Sequence, residues 1–294
     1  MVNAIQSYMA YLHNVKKASD NTEASYRRDL LKAADFFATQ QIEEPGSVTS
    51  EGLNSYILFL EGQNLSAATV SRNMAALRSF FRYLYKEKQI SENPAVGVKS
   101  PKVVRKAPTV LSEMEIDLLL SQPDRTTAKG IRDKAMLELL YATGLRVSEL
   151  IHLKLSCVNL QLGFLVSEEG EKARTVPFGD TAKEALVAYI LHSRPALLKE
   201  KESELLFLNC SGNPMSRQGF WKVMKTYAAA AGITKEITPH TIRHSFAYHL
   251  IRNGADLKSV QEMMGHADIM TTQVYVNTDL YRMQSVYRKT HPRK

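Results

Sequence analysis

Residues 238–247 read Thr238-Pro239-His240-Thr241-Ile242-Arg243-His244-Ser245-Phe246-Ala247. This is a helix start. Thr238 suits the N-cap, and Pro239 suits the first helical position, where no backbone N–H is needed. His240 and Arg243 then stand three residues apart on one face. Both lie in the first turn, where unpaired N–H groups and the helix dipole favour an anion. Arginine is the side chain for two-pronged contact with phosphate. The competing reading is a metal held by His240 and His244, one turn apart. A zinc-protease helix carries Glu directly after the first His, whereas Thr241 stands there, so no metal is expected.

A second arginine lies upstream in Ala142-Thr143-Gly144-Leu145-Arg146-Val147-Ser148-Glu149-Leu150. Gly144 ends one helix, and Arg146 sits at the turn into the next. Glu149, three residues on, is placed to hold its guanidinium. Standing alone, this segment reads as a surface ion pair. Downstream, Gly265-His266 follows a helix capped by Asp256, with Leu257, Val260 and Met264 facing inward. Asp268 suits the cap of another helix, and Tyr275 lies two turns along it. A helical tyrosine taken alone is packing rather than a nucleophile.

The rest of the chain is mainly helical. Four segments near 3–16, 21–40, 49–62 and 66–88 carry helical spacing. In the last, Val70, Met74, Leu77, Phe80, Phe81 and Leu84 fall on one arc. Arg72, Arg78 and Arg82 fall on another, among Ser71, Ala75 and Ser79. Arginines among small residues suit a helix laid along phosphates; the alternative is a solvated face opposite a core. Residues 93–110 carry Pro94, Pro101 and Pro108 with Lys99, Lys102, Arg105 and Lys106. They read as an extended basic linker, either a DNA-following connector or a plain tether. The expected division is a helical DNA-binding domain over 1–92, the linker over 93–110 and a second domain over 111–294. In that second domain Ser112 and Glu115 form a capping-box signal. A helix is expected at about 130–142, and residues 163–178 read as a β-hairpin with Pro177 at an edge. From 181 onward the pattern is helical.

Composition narrows the function class. The 294 residues are 44% hydrophobic and 23% charged, ordinary for a folded globular protein. Lys and Arg number 38 against 30 Asp and Glu, a net charge of +8. That excess is shared, +4 in residues 1–106 and +4 in the remainder, and it favours an anionic partner. Cys157 and Cys210, 53 positions apart, have no ligand spacing around them. No signal peptide and no run long enough for a membrane helix is visible, so a cytoplasmic setting without membrane anchoring is expected.

Arg146, His240, Arg243, His266 and Tyr275 occur in that order, with 23 residues from Arg243 to His266 and nine from His266 to Tyr275. Together with Met264-Gly265-His266 and Thr271-Thr272-Gln273-Val274-Tyr275, this resembles the tyrosine recombinase (phage integrase) family. The likeness extends to Asn21–Leu30 and Ala76–Leu84, which look like its core-binding domain. In length it is most similar to the Xer recombinases. The resemblance implies a mainly α fold with a small β-hairpin in the catalytic domain. It implies site-specific cleavage and rejoining of double-stranded DNA without a cofactor, through a 3′-phosphotyrosyl link made by Tyr275. Arg146 and Arg243 would hold the phosphate, His240 would take the phenol proton and His266 would hydrogen-bond the phosphate. It further implies a tetramer on DNA, formed with itself or a paralogous recombinase, serving chromosome-dimer resolution or mobile-element integration or excision. The segment after Tyr275 would dock on a neighbouring protomer.

One position departs from the family. The family's hairpin lysine donates a proton to the leaving 5′-oxygen. Counted back from Val176-Pro177-Phe178-Gly179, its place holds Glu169, and Lys172 is the nearest substitute. That departure motivates one alternative function, a DNA-binding relative with weak or no cleavage; a separate alternative is a strand-relaxing topoisomerase using the same chemistry.

Overall fold

A computed structural model describes residues 1–102, 108–168 and 173–265. The chain divides into two compact units, Met1–Arg105 and Lys106–Lys294. In the first, hydroxyl caps start three of the helices. The unit runs through α1 (Val2–Asn14), α2 (Asp20–Thr39), α3 (Ser50–Gly62) and α4 (Ala67–Lys86). Ser19, Thr49 and Ser66 accept from the N–H groups of Thr22, Gly52 and Thr69, each satisfying a donor that the helix itself leaves unpaired. The apolar arc of α4 is buried. Val70, Met74, Leu77, Phe80, Phe81 and Leu84 share one core with Tyr8, Leu30, Phe37 and Tyr56.

The basic arc of α4 differs from expectation. Arg78 donates from Nη2 to Val98 O at 2.7 Å and to Ser100 Oγ at 2.8 Å. Arg72 places Nη1 2.7 Å from Oδ2 of Asp29, whose side chain is only 4% exposed. Two of the three arginines expected on phosphates thus have partners within their own unit. Arg82 is exposed, and its side chain makes no ion pair or hydrogen bond among the described residues. Helical periodicity places a side chain on a face; it does not say what lies over that face. The linker expectation changes for a related reason. Ala95 and Val98 are buried in the core of the first unit, so the stretch carrying them belongs to that unit rather than to a free connector. Its prolines exclude regular structure, not burial.

The second unit is built around one interior helix. α5 (Glu113–Ser121) opens on the Ser112–Glu115 capping box. α6 (Ala128–Thr143) buries Ala135, Met136, Leu137, Leu139 and Leu140 completely, as an interior helix must. It also buries Arg132 and Asp133, paired at 2.6 Å; Arg132 donates to Leu208 O and Asp133 accepts from Tyr227 Oη. Those extra bonds are what make a buried ion pair tolerable. α7 (Val147–His152) leads to a three-stranded antiparallel sheet of β1 (Val158–Asn159), β2 (Phe164–Ser167) and β3 (Arg174–Pro177), in that order. Leu165 faces Val176 and Ser167 faces Arg174 across the hairpin. The hairpin matches the sequence reading. The two-residue β1 is too short for alternation to reveal.

Beyond the sheet, α8 (Asp180–Ala188) continues through a π-helical turn, Tyr189–Ser193, into α9 (Arg194–Leu198). The helical pattern expected from 181 onward is interrupted before α10 (Arg217–Ala230), where Leu205 bridges Lys154 and Leu208 bridges Pro214. Gly212 and Pro214 in that interval are poor helix formers. α11 (Pro239–Arg252) and α12 (Leu257–Met264) complete the described helices. α11 packs on α6, and the Ser245 hydroxyl accepts from Leu111 N at 2.8 Å. Among the described residues, no helix is long and apolar enough to cross a membrane.

Replacing Arg78 with Met removes two charge-assisted bonds that anchor Val98 and Ser100. The expected loss is about 1–3 kcal/mol, read from urea unfolding of the full chain by circular dichroism. Arg82→Ala is expected to change stability by less than about 0.5 kcal/mol. Equal losses from the two variants would show that Arg78 does not anchor that segment.

Candidate active site

Arg146 stands immediately before α7 with extended backbone, φ −69° and ψ 151°. Gly144 makes this possible. Its φ is +58°, and a Cβ there would stand 2.3 Å from Cδ1 of Phe246, so the turn requires glycine on both counts. Glu149, 3% exposed, reaches back along the first turn of α7. It accepts from Arg146 N at 2.6 Å and from Arg146 Nη1 at 3.0 Å. Arg146 Nη2 donates to Gly265 O at 3.1 Å, while its side chain stays 42% exposed.

Arg243 projects from α11 and is buried. It donates from Nη1 to Gly144 O and from Nη2 to Met264 O. Its Nη1 lies 4.0 Å from Glu149 Oε2. A third guanidinium joins them from β3. Arg174 donates from Nη1 and Nη2 to the two oxygens of Glu149, at 2.7 and 2.8 Å, and from Nε to Met263 O at 2.9 Å. Burial pushes the Glu149 carboxyl up. The Arg174 bonds, the Arg146 N–H and the charges of both arginines outweigh that and hold it below the usual carboxylate range. Three consecutive carbonyls, of Met263, Met264 and Gly265, thus each accept from a different arginine. They belong to the C-terminal end of α12, where carbonyls lack helical partners and carry the negative end of the dipole.

Arg146, Arg243 and His240 line a cleft of about 610 Å³, together with Arg217, Gln218 and Trp221 of α10. Partial burial, then the charges of Arg243 and Arg146, hold the His240 imidazole below its usual value. The ring is therefore neutral at pH 7 and suited to accept a proton. His244 is pushed down to about 4 by burial and by His240 and Arg243. Among the described residues, no cluster of three His, Cys, Asp or Glu side chains is placed to hold a metal ion.

The structure thus brings together three residues singled out in the sequence, Arg146, His240 and Arg243. Arg72, Arg78 and Arg82 lie in the other unit. Lys172, His266 and Tyr275 lie outside the described residues, as do Glu169 and the expected assembly segment after Tyr275. Arg174 was missed. Its signal was present: two residues before the apolar Val176 in a strand, it shares that residue's inward face as a charge needing a partner.

The sequence matches the phage integrase family over residues 109–281 and the phage integrase N-terminal SAM-like domain over residues 5–88. It is 44% identical over 294 residues to tyrosine recombinase XerD of Staphylococcus aureus (strain N315), covering 100% of both chains. Its identity to the XerD of Staphylococcus saprophyticus subsp. saprophyticus is also 44%, again over 100% of both. Similar folds occur in the XerH site-specific recombinase bound to a palindromic difH substrate, with TM-score 0.76, 24% identity and coverage of 92% of this chain and 80% of that one. They also occur in the Tn1549 transposon integrase with circular intermediate DNA, with TM-score 0.73, 22% identity and coverage of 92% and 94%. The chain belongs to the phage integrase family of tyrosine recombinases, and its likeness to the Xer members extends over its whole length.

The lowered pKa of Glu149 has a consequence for stability. A carboxylate with a depressed folded pKa stabilises fully above its unfolded value, about 4.3, and loses that contribution as pH falls through the folded value. Glu149→Gln is expected to lower stability by about 3–5 kcal/mol at neutral pH, as for a broken buried ion pair. The gap in thermal midpoint between wild type and variant should narrow as pH falls from about 6 to about 3. A gap that stays constant over that range would place Glu149 outside the ionised network.

Proposed function

We propose that this chain is a site-specific DNA recombinase that cleaves and rejoins double-stranded DNA through a 3′-phosphotyrosyl intermediate. The observation that carries the reading is the convergence of Arg146 and Arg243 on neighbouring carbonyls, beside a neutral His240 at the mouth of one cleft. Two guanidinium groups so placed match the non-bridging oxygens of a phosphodiester. They stabilise the extra negative charge of a pentavalent transition state without a metal. Tyr275 is the proposed nucleophile. A phenol with pKa near ~10 is weak at neutral pH and needs a base, the role proposed for His240. As the phosphorus–Tyr275 bond forms, the bond to the 5′-oxygen breaks and that oxygen takes up a proton. The phosphodiester energy is stored in the new link, so reversal reseals the strand without ATP. His266 is proposed to hydrogen-bond the same phosphate, and Lys172 to supply the proton to the leaving oxygen.

The proposed partners are duplex DNA and further protomers, identical or paralogous, in a tetramer that passes through a Holliday junction. The segment after Tyr275 is the proposed contact between protomers. Chromosome-dimer resolution and movement of a mobile element are both served by this chemistry. The +8 net charge supports a polyanionic partner. In the first unit, exposed Arg82 is the proposed phosphate contact.

Tyr275→Phe is expected to abolish covalent attachment to a nicked duplex on a denaturing gel while leaving binding in a mobility-shift assay intact. Wild-type attachment should persist in excess EDTA. A Phe variant that still forms the adduct would remove Tyr275 from its role.

Lys172→Ala is expected to slow cleavage by ~10²–10⁴, the weight of a general acid. A substrate with sulfur in place of the bridging 5′-oxygen should restore the rate, because a thiolate leaves without a proton. Normal cleavage of ordinary DNA by this variant would show that the proton comes from elsewhere.

A further inference from the structure

Arg174 has no part in the chemistry proposed above, yet it ties together three other elements of the cluster. It sits on β3, two positions after Lys172 in the sequence. Both its Nη atoms are engaged by Glu149 of α7, and its Nε by Met263 O of α12. Nη1 also lies 3.4 Å from the Ser167 hydroxyl on β2. Its side chain is 12% exposed, against 42% for Arg146. It is not among the residues that line the cleft. The backbone is shaped around it. A Cβ on Gly265 would stand 2.9 Å from Arg174 Nη1, and the φ of Gly265 is +62°.

We propose that Arg174 is a positioning residue for the phosphate clamp: it holds the Glu149 carboxylate that aims Arg146 and the end of α12 that leads into His266. The proposal rests on the cleavage reaction described above. Glu149 divides its two oxygens between Arg174 and Arg146. With Arg174 gone, a buried carboxylate has Arg146 as its nearest counter-charge and competes with DNA phosphate for that guanidinium. The carbonyl of Met263 loses its donor at the same moment, and the turn before His266 loosens. Lysine cannot substitute, because one ammonium cannot span both carboxylate oxygens and the carbonyl with the fixed fork of a guanidinium.

The experiment uses the full chain and a duplex recovered from a random-sequence pool by binding to it. That duplex is nicked through its central region so that the released 5′-hydroxyl fragment diffuses away. Arg174→Lys keeps the buried positive charge and so keeps the fold, which circular dichroism checks. The first-order rate of covalent adduct formation at saturating DNA is expected to fall about 10- to 100-fold, the scale of a small misplacement of reacting groups. Kd for the duplex should stay within about twofold, since Arg174 does not line the cleft and its side chain is only 12% exposed. Coupling supplies a readout that a purely structural staple would not move. In the Glu149→Gln background, Arg174→Lys should slow the reaction by less than about threefold, because the carboxylate it restrains has been neutralised. A wild-type rate in Arg174→Lys, or a loss that is multiplicative with Glu149→Gln, would overturn the positioning role. No adduct from wild type itself would instead overturn the cleavage reading, and the positioning role with it.

Discussion

The Glu149 carboxylate, 3% exposed, is shared by two guanidinium groups within hydrogen-bond distance, and a third lies 4.0 Å away. A lone buried carboxylate would be costly, and so would three arginines packed together. Each cost is met by the other, with backbone carbonyls taking the remaining donors. Five segments of the second unit meet in this network: the Gly144 turn, the first turn of α7, strand β3, the N-terminal part of α11 and the C-terminal end of α12. Their relative placement follows from the need to satisfy the charges.

Phosphoryl transfer benefits from charges that are already aimed before the substrate arrives, because they need not reorganise during the reaction. The cluster supplies such an arrangement. Arg243 is buried and held from two sides by backbone oxygens, so its position is set by the fold. Arg146 is tied at one Nη by Glu149 and at the other by Gly265, yet remains substantially exposed to the cleft. One arginine is thus a framework charge and the other an accessible one. Burial, then their charges, lower the pKa of the His240 imidazole beside them, so the proposed phosphate clamp would also keep the proposed proton acceptor neutral.

In the first unit the same side chain serves a different purpose. Arg72 and Arg78 answer a buried aspartate and a pair of acceptors in the 93–100 stretch. An arginine on a helix is as useful for closing a small domain as for gripping a polyanion. A positive net charge on the unit does not distinguish the two, because the field counts every charge while the contact depends on which are already paired.

The helices of both units were legible in the sequence because their signals are local. Ser66, Ser112 and Thr238 mark helix starts, Gly144 marks an end, and the apolar arc of α4 needs only a period of 3.6 residues. The motif holding His240 and Arg243 was legible for the same reason: a proline and a threonine place both side chains in one helical turn. The meeting of Arg146 with Arg243, 97 positions away, came from resemblance to a family rather than from any local rule. What only the tertiary structure decided was the pairing of charges. Nothing near Arg174 in sequence points to Glu149, and nothing near Arg78 points to Val98. Whether an arginine is free for phosphate or committed to the protein depends on which acceptors folding brings within about 3 Å, and those lie on elements remote along the chain.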